Sequence, residues 1–279
     1  MTEGLDRAAD AIANATALVV AAGAGMGVDS GLPDFRGDQG FWRAYPPFRR
    51  LGLSFMDLAN PRWFDRDPAL AWGFYGHRMH LYREVVPHAG FHRLREWGER
   101  TRDGVAVFTS NVDGQFQRAG YPRVCEVHGS IHHLQCLRRC GVGIWEARDE
   151  VAIDEATMRA SDPLPRCPRC GALARPNVLM FGDGDWRPER TDRQHRELDR
   201  WLPEGGEGLV VVECGAGTAV PTVRWFSERL LARGAALIRV NPRESFGPAG
   251  TIELPLGAAE ATARIAERLG DGSDGDDRE

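Results

Sequence analysis

Thr16-Ala17-Leu18-Val19-Val20-Ala21-Ala22, running into Gly23-Ala24-Gly25-Met26-Gly27, is the stretch that decides the fold. A short unbroken apolar run that ends in closely spaced glycines reads as a strand buried on both faces and emptying into a loop. Three later stretches repeat it. Val105-Ala106-Val107-Phe108 leads into Thr109-Ser110-Asn111-Val112-Asp113, Leu209-Val210-Val211-Val212-Glu213 into Cys214-Gly215-Ala216-Gly217-Thr218, and Ala236-Leu237-Ile238-Arg239-Val240 into Asn241-Pro242. Helix-like stretches such as Thr222 to Arg233 separate them. The expected fold class is therefore α/β, a doubly wound Rossmann-like parallel sheet. Ligands of such sheets sit beyond the carboxyl ends of the strands, where these four loops would gather around a nucleotide.

Two insertions interrupt the pattern. One, over 41–104, is helical and rich in tryptophan, tyrosine and arginine; the other, over 131–177, carries four cysteines. Together they are expected to form a smaller helical and zinc-binding domain beside a nucleotide-binding domain made of 1–40, 105–130 and 178–269. The acidic, glycine-rich end, 270–279, has the composition of a disordered tail. A net charge of -5 and a pI near 5.9 argue against nucleic acid and anionic membrane as partners, because both call for a dominant basic surface. No run of 18 apolar residues and no secretory leader is visible, so a cytoplasmic protein is expected.

Cys136-x3-Cys140 and Cys167-x2-Cys170 have the spacing of a structural zinc site, with His132 and His133 as rival ligands read as ordinary polar surface or loop residues. Cys125 and Cys214 stand in apolar surroundings and are expected to pack as small buried hydrophobes. His128, between Val127 and Gly129, suits a general base. The Gly23-x-Gly25-x-Gly27 loop can bring backbone N–H groups close to a pyrophosphate. A dehydrogenase fingerprint would also carry an acidic residue about 20 positions on, and the chain has Phe41-Trp42-Arg43 there. The loop gives way instead to Asp29-Ser30-Gly31-Leu32-Pro33-Asp34-Phe35-Arg36-Gly37, a proline turn with an aromatic plate and a cation able to fork onto phosphate.

These motifs, in this order, resemble the sirtuins, a family of NAD-dependent protein lysine deacylases. The resemblance is carried by Gly23-Ala24-Gly25, Gly31 to Arg36, Thr109-x-Asn111-Val112-Asp113, His128-Gly129, the four cysteines, Arg175-Pro176-Asn177-Val178-Leu179-Met180-Phe181-Gly182-Asp183 and Asn241, and it covers roughly Ala11 to Leu269. It implies that Gly23, Ala24 and Gly25 line an NAD pocket with Asp34, Phe35 and Arg36 over the ribose and phosphate. Asn111, beside Ser110, would organise the nicotinamide ribose, Asp113 would hold the nicotinamide amide, Gly215 and Gly217 would approach the cofactor closely, and Asn241 would meet the adenosine ribose. His128 would take a proton from a ribose hydroxyl, and the products would be nicotinamide, O-acyl-ADP-ribose and free lysine. An acyl-lysine peptide would lie as an added strand beside Leu179, Phe181 and Gly182.

The chain departs from the family at Gly27, where serine is usual, at Ser110 for glutamine, at Gln115-Phe116 for Leu-His, in the Cys214 to Thr218 loop, and at Asp183 for glutamate. A shorter Ser110 spans less than a glutamine, and transfer of ADP-ribose to protein or water is the alternative activity that altered ribose contacts would favour. A non-catalytic NAD-sensing module is the second alternative. Retention of His128, Asn111 and Asp113 together speaks against it. Tyr75 and Arg78 are three apart on an expected helix and share a face. They resemble the pair with which one sirtuin branch grips the carboxylate of succinyl- or malonyl-lysine.

Overall fold

The computed structural model describes residues 1–33 and 37–271. Helix α1 (Thr2–Ala13) and strand β1 (Ala17–Ala22) lead into a 3-10 segment (Ala24–Ser30). Helices α2 (Gly37–Ala44), α3 (Pro46–Arg50), α4 (Phe55–Leu58), α5 (Arg62–Arg66) and α6 (Pro68–Glu84) make the first insertion, and α7 (Ala89–Glu99), β2 (Val105–Thr109), α8 (Gln115–Arg118) and β3 (Val124–Glu126) return to the sheet. The second insertion holds β4 (Gly129–Cys136), β5 (Ile144–Glu146), β6 (Ile153–Asp154), β7 (Arg159–Ala160) and β8 (Ala174–Val178). The chain ends through α9 (Glu189–Trp201), β9 (Leu209–Cys214), α10 (Thr222–Leu231), β10 (Ala236–Val240), β11 (Ile252–Leu254) and α11 (Ala258–Leu269).

The six-stranded sheet has the order β11-β10-β9-β1-β2-β3, and every pairing in it is parallel. The unbroken apolar runs have a direct cause. Leu18 and Val20 of β1 face a core shared with α1, α7 and α11, while Val19 and Ala21 face Leu198 of α9 and Val223, Phe226 and Leu230 of α10. Both faces are covered, so no position can be polar without a partner. Arg239 keeps this rule: fully buried on β10, it pairs with Glu213 of β9 at 2.6 Å and with Glu228 of α10 at 2.9 Å. Because the strand order turns around between β1 and β9, the loops after them open a crevice at the carboxyl edge.

The insertions share one core, in which Trp72, Phe74 and Tyr75 of α6 pack with Phe41, Phe48, Phe64, Ile131 and Leu134. Trp72 Nε1 donates to the Ala174 carbonyl at 3.0 Å and ties α6 to the sheet β5-β4-β8. By contrast α7 sends Phe91, Leu94 and Trp97 into the large core. The two insertions thus meet in one smaller body around that shared core. Asp271, the second residue of the expected tail, accepts from Trp97 Nε1 at 3.0 Å and from Arg100 Nη1 at 2.7 and 2.9 Å. The rest of the expected tail lies outside the described residues. Among the described residues no helix is long and apolar enough to cross a membrane.

Candidate active site

Five strand ends meet at the crevice. Gly23 N–H donates to the Cys214 carbonyl at 3.0 Å, Gly25 N–H to Gly215 at 3.1 Å, Ser110 N–H to Ala22 at 3.1 Å and Val127 N–H to Thr109 at 2.9 Å. A Cβ on Gly215, whose φ is +64°, would stand 2.4 Å from the backbone of Gly25. The glycines thus let two loops touch, and the Gly25 N–H expected to face a pyrophosphate is already engaged. Ala24 begins the 3-10 segment and Gly217 is half-buried at the crevice. Asp34, Phe35 and Arg36 lie outside the described residues.

Asn111 is nearly buried; its Nδ2 donates to the Gly23 carbonyl at 3.1 Å, and its N–H is held by Thr109 Oγ1 at 3.0 Å. Asp113 accepts from the Gln115 N–H at 2.9 Å, and burial pushes its carboxyl up to about 6. His128 stands two residues past the end of β3. Burial holds its imidazole below the ordinary value, opposed by a hydrogen bond from the ring to the Ser110 backbone. That bond occupies one nitrogen and leaves the other to accept a proton. Asn241 is fully buried: Nδ2 donates to the Ala216 carbonyl at 2.9 Å, and Oδ1 accepts from Arg243 and Glu244 at 3.1 and 3.0 Å. It braces two loops of the crevice from behind.

Two further histidines hold these loops, and sequence reading gave neither of them this part. His132, expected at the surface, lies on β4 and directs Nε2 to the Asp113 carbonyl at 2.8 Å. His88 caps α7: Nδ1 accepts the Gly90 N–H at 3.0 Å, Nε2 meets the Met26 carbonyl at 3.0 Å, and its own N–H donates to Ser30 Oγ at 3.0 Å. Since Nδ1 is an acceptor, the proton sits on Nε2 and the ring is neutral. An N-cap histidine before Ala89-Gly90 is visible in the sequence; its partner, 62 positions away, is not.

On the small-body side, Tyr75 and Arg78 are both buried. The guanidinium lies within 5.2 to 5.7 Å of the Phe55, Phe74, Tyr75 and Tyr82 ring centroids. Its Nε and Nη2 bond to the Tyr82 hydroxyl, at 3.1 and 2.8 Å, one helical turn beyond Arg78 on the side away from the expected partner Tyr75. The Tyr75 hydroxyl is buried with no hydrogen-bond partner among the described residues. Leu179 is exposed, and its N–H donates to the His128 carbonyl at 2.9 Å; Phe181 N–H donates to Ala59 at 2.9 Å and its ring meets Phe55 edge-on at 6.3 Å. Gly182 turns with φ +68°, and Asp183 is buried in a two-bond fork with Arg175 at 2.7 and 2.8 Å.

Cys136, Cys140, Cys167 and Cys170 bring their sulfurs within 4.8 Å of one another, with Cys136–Cys170 at 3.6 Å and Cys140–Cys167 at 3.4 Å. Tetrahedral Zn–S bonds of about 2.3 Å place sulfurs roughly 3.8 Å apart, so the cluster is consistent with a structural zinc, and four thiolates leave no open position. Burial opposes ionisation of Cys167, yet N–H groups of Cys170 and Arg169 and the neighbouring thiols bring it down to about 6. Neither His132 nor His133 belongs to the cluster. Cys125 and Cys214 are free and buried in the core, as expected.

Residues 23–201 match the Sir2 family. The chain is 33% identical over 274 residues to an NAD-dependent protein deacylase of Aeropyrum pernix, covering 96% of this chain and 98% of the relative. It is 32% identical over 254 residues to one of Mycobacterium tuberculosis, covering 90% and 97%. A solved Sir2 homolog in complex with NAD superposes with a TM-score of 0.72 at 30% identity, covering 96% of this chain and 94% of that one. The family match over 23–201 and the near full-length similarity to these deacylases place the chain in the Sir2 family.

Proposed function

We propose that this NAD-dependent protein deacylase of the Sir2 family removes acyl groups that end in a carboxylate, such as succinyl or malonyl, from lysine. When bound, NAD would supply the ribose carbon that takes the acyl oxygen, the ribose hydroxyl that ends up bearing the acyl group, and nicotinamide as leaving group. The chain's own residues hold and aim: the 23–25 and 214–217 loops form the crevice wall, Asn111 fixes the loop nearest His128, and Asp113 is placed for the nicotinamide amide. His128, neutral and tethered to Ser110, is the base. The acyl-lysine peptide lies along Leu179 to Gly182 as an added strand, using backbone groups beyond the three N–H donors, of Leu179, Met180 and Phe181, already engaged there. Cytoplasmic work fits buried free thiols and a cysteine cluster of metal-binding spacing.

The observation that carries the acyl preference is the Tyr75 hydroxyl, without a hydrogen-bond partner among the described residues, beside the buried Arg78 guanidinium. Burial pushes the Tyr75 phenol up, so it stays a donor. A carboxylate between them would complete the Tyr75 bond and accept from the guanidinium, with Tyr82 sharing the cation. Such a charged fork contributes about 1.5–3 kcal/mol, enough for roughly a tenfold preference. Peptides carrying acetyl-, malonyl- or succinyl-lysine test it with wild type and Arg78→Met. Succinyl peptide is turned over at least as well as acetyl peptide, and Arg78→Met lowers the succinyl rate selectively. Equal loss on both would make Arg78 structural, and no succinyl activity in the wild type would end the proposal. Product masses of O-acyl-ADP-ribose rather than ADP-ribosylated protein identify deacylation.

A further inference from the structure

None of the 279 residues is lysine: every one of the 35 lysine-plus-arginine positions is arginine. Part of this follows from the fold. Arg175 forks Asp183 from full burial, Arg239 joins Glu213 and Glu228, and Arg118 Nη1 reaches the carbonyls of Tyr82 and Val85 at 3.3 and 2.8 Å. A lysine ammonium has neither the planar fork nor the spread of donors for those places. Elsewhere the fold makes no such demand. Arg7, Arg50, Arg196 and Arg200 are exposed and form no ion pair among the described residues, so a lysine there would keep both charge and solubility.

We infer that the chain is closed to the modification it removes: acyl donors that load the lysines of its substrates leave its own activity untouched, and its acyl-lysine substrates come only from other proteins. The inference rests on the deacylase reading above. Acylation needs a neutral amine whose lone pair attacks the carbonyl of a thioester or acyl phosphate. The C–N bond forms, the C–S or C–O bond breaks with its electrons going to the leaving group, and the amine proton passes to water. A guanidinium is effectively always protonated and its electrons are delocalised, so it does not attack. Thiols offer no easy substitute: Cys125 and Cys214 are buried in the core, where burial pushes both up to about 12, and the other four stand in the cluster that a structural zinc would hold. The α-amine at the first residue is the remaining aliphatic amine. A deacylase rich in surface lysine would accumulate acyl groups whenever donors were plentiful, and each acylated copy would compete with substrate for the other copies.

The experiment compares wild type with a variant carrying Arg7→Lys, Arg50→Lys, Arg196→Lys and Arg200→Lys. Both are first assayed on acyl peptide with NAD; wild-type failure here would strike the deacylase reading itself. Both are then incubated with succinyl-CoA, and separately with acetyl phosphate, and followed by intact mass, by peptide rate, and by nicotinamide release with NAD and no peptide. Wild type gains at most one acyl group, at the first residue, and keeps its rate and its peptide-free blank. The variant gains up to four more, and its peptide rate falls as they accumulate. Stable adducts elsewhere on wild type with a fall in rate would overturn the inference. So would a variant whose adducts do not slow the peptide reaction, since the absence of lysine would then protect nothing.

Discussion

A base that takes a proton from a hydroxyl near neutral pH must itself be neutral there, and His128 is held so by burial while its Ser110 bond fixes the ring. Its replacement by alanine leaves the cofactor loops intact, because these are held by Asn111, Asn241, His88 and His132. We expect His128→Ala to lose about 10²–10⁴ of the deacylation rate with NAD affinity nearly unchanged; titration calorimetry and peptide turnover check the two halves, and wild-type turnover would remove the role. His88 acts one step further out. It moors the Met26 carbonyl and caps Gly90, so His88→Ala costs about 1 kcal/mol in helix capping and frees the 3-10 segment. The expected result is a raised KM for NAD with little change in kcat. A fall in kcat alone would place His88 outside cofactor positioning.

At the scale of elements, the buried Arg175–Asp183 fork and the cysteine cluster both hold the start of β8, and each is open to test. Asp183→Asn leaves Arg175 as an uncompensated buried charge, which costs about 3–5 kcal/mol; a melting temperature within error of wild type would contradict this. For the cluster we expect one zinc per chain by metal analysis, and Cys170→Ser to lose the metal and unfold the small sheet before the large one. Retention of a full zinc equivalent would refute the four-sulfur shell. The elements differ in how legible they were. The four long strands announced themselves because burial on both faces forces an unbroken apolar run, whereas β3 and β11 pair over three residues each and carry no such signature. The cysteine cluster was legible because its ligand spacing is local. His88 and His132 were not, since each acts on a carbonyl that only the folded chain brings near. Tyr82 escaped for a subtler reason: spacing put Tyr75 and Arg78 on one face, but a helix offers the guanidinium a second tyrosine one turn on.

Across the whole molecule, buried titrating groups set a direction for stability against pH. Burial is the leading cause that holds His77, His88, His128, His132 and His133 below the ordinary histidine value of about 6.5, with His133 lowered to about 4. For each, the unfolded chain takes up a proton that the folded chain refuses, so the stability present above about pH 6.5 is lost as pH falls through the folded value. Asp113, raised to about 6, and Glu126, also raised, oppose this: folded, each binds a proton before the unfolded carboxylate does, and so adds stability as pH falls through its folded value. Five histidines act against two carboxyls, and the histidine loss begins at higher pH. Thermal unfolding should therefore show a melting temperature that declines from pH 7 to pH 5. His88→Asn keeps a side-chain acceptor for the Gly90 N–H without a group that titrates in this range, so its decline should be shallower than that of wild type. A wild-type melting temperature that stayed level or rose across the window would show that the buried carboxyls outweigh the histidines.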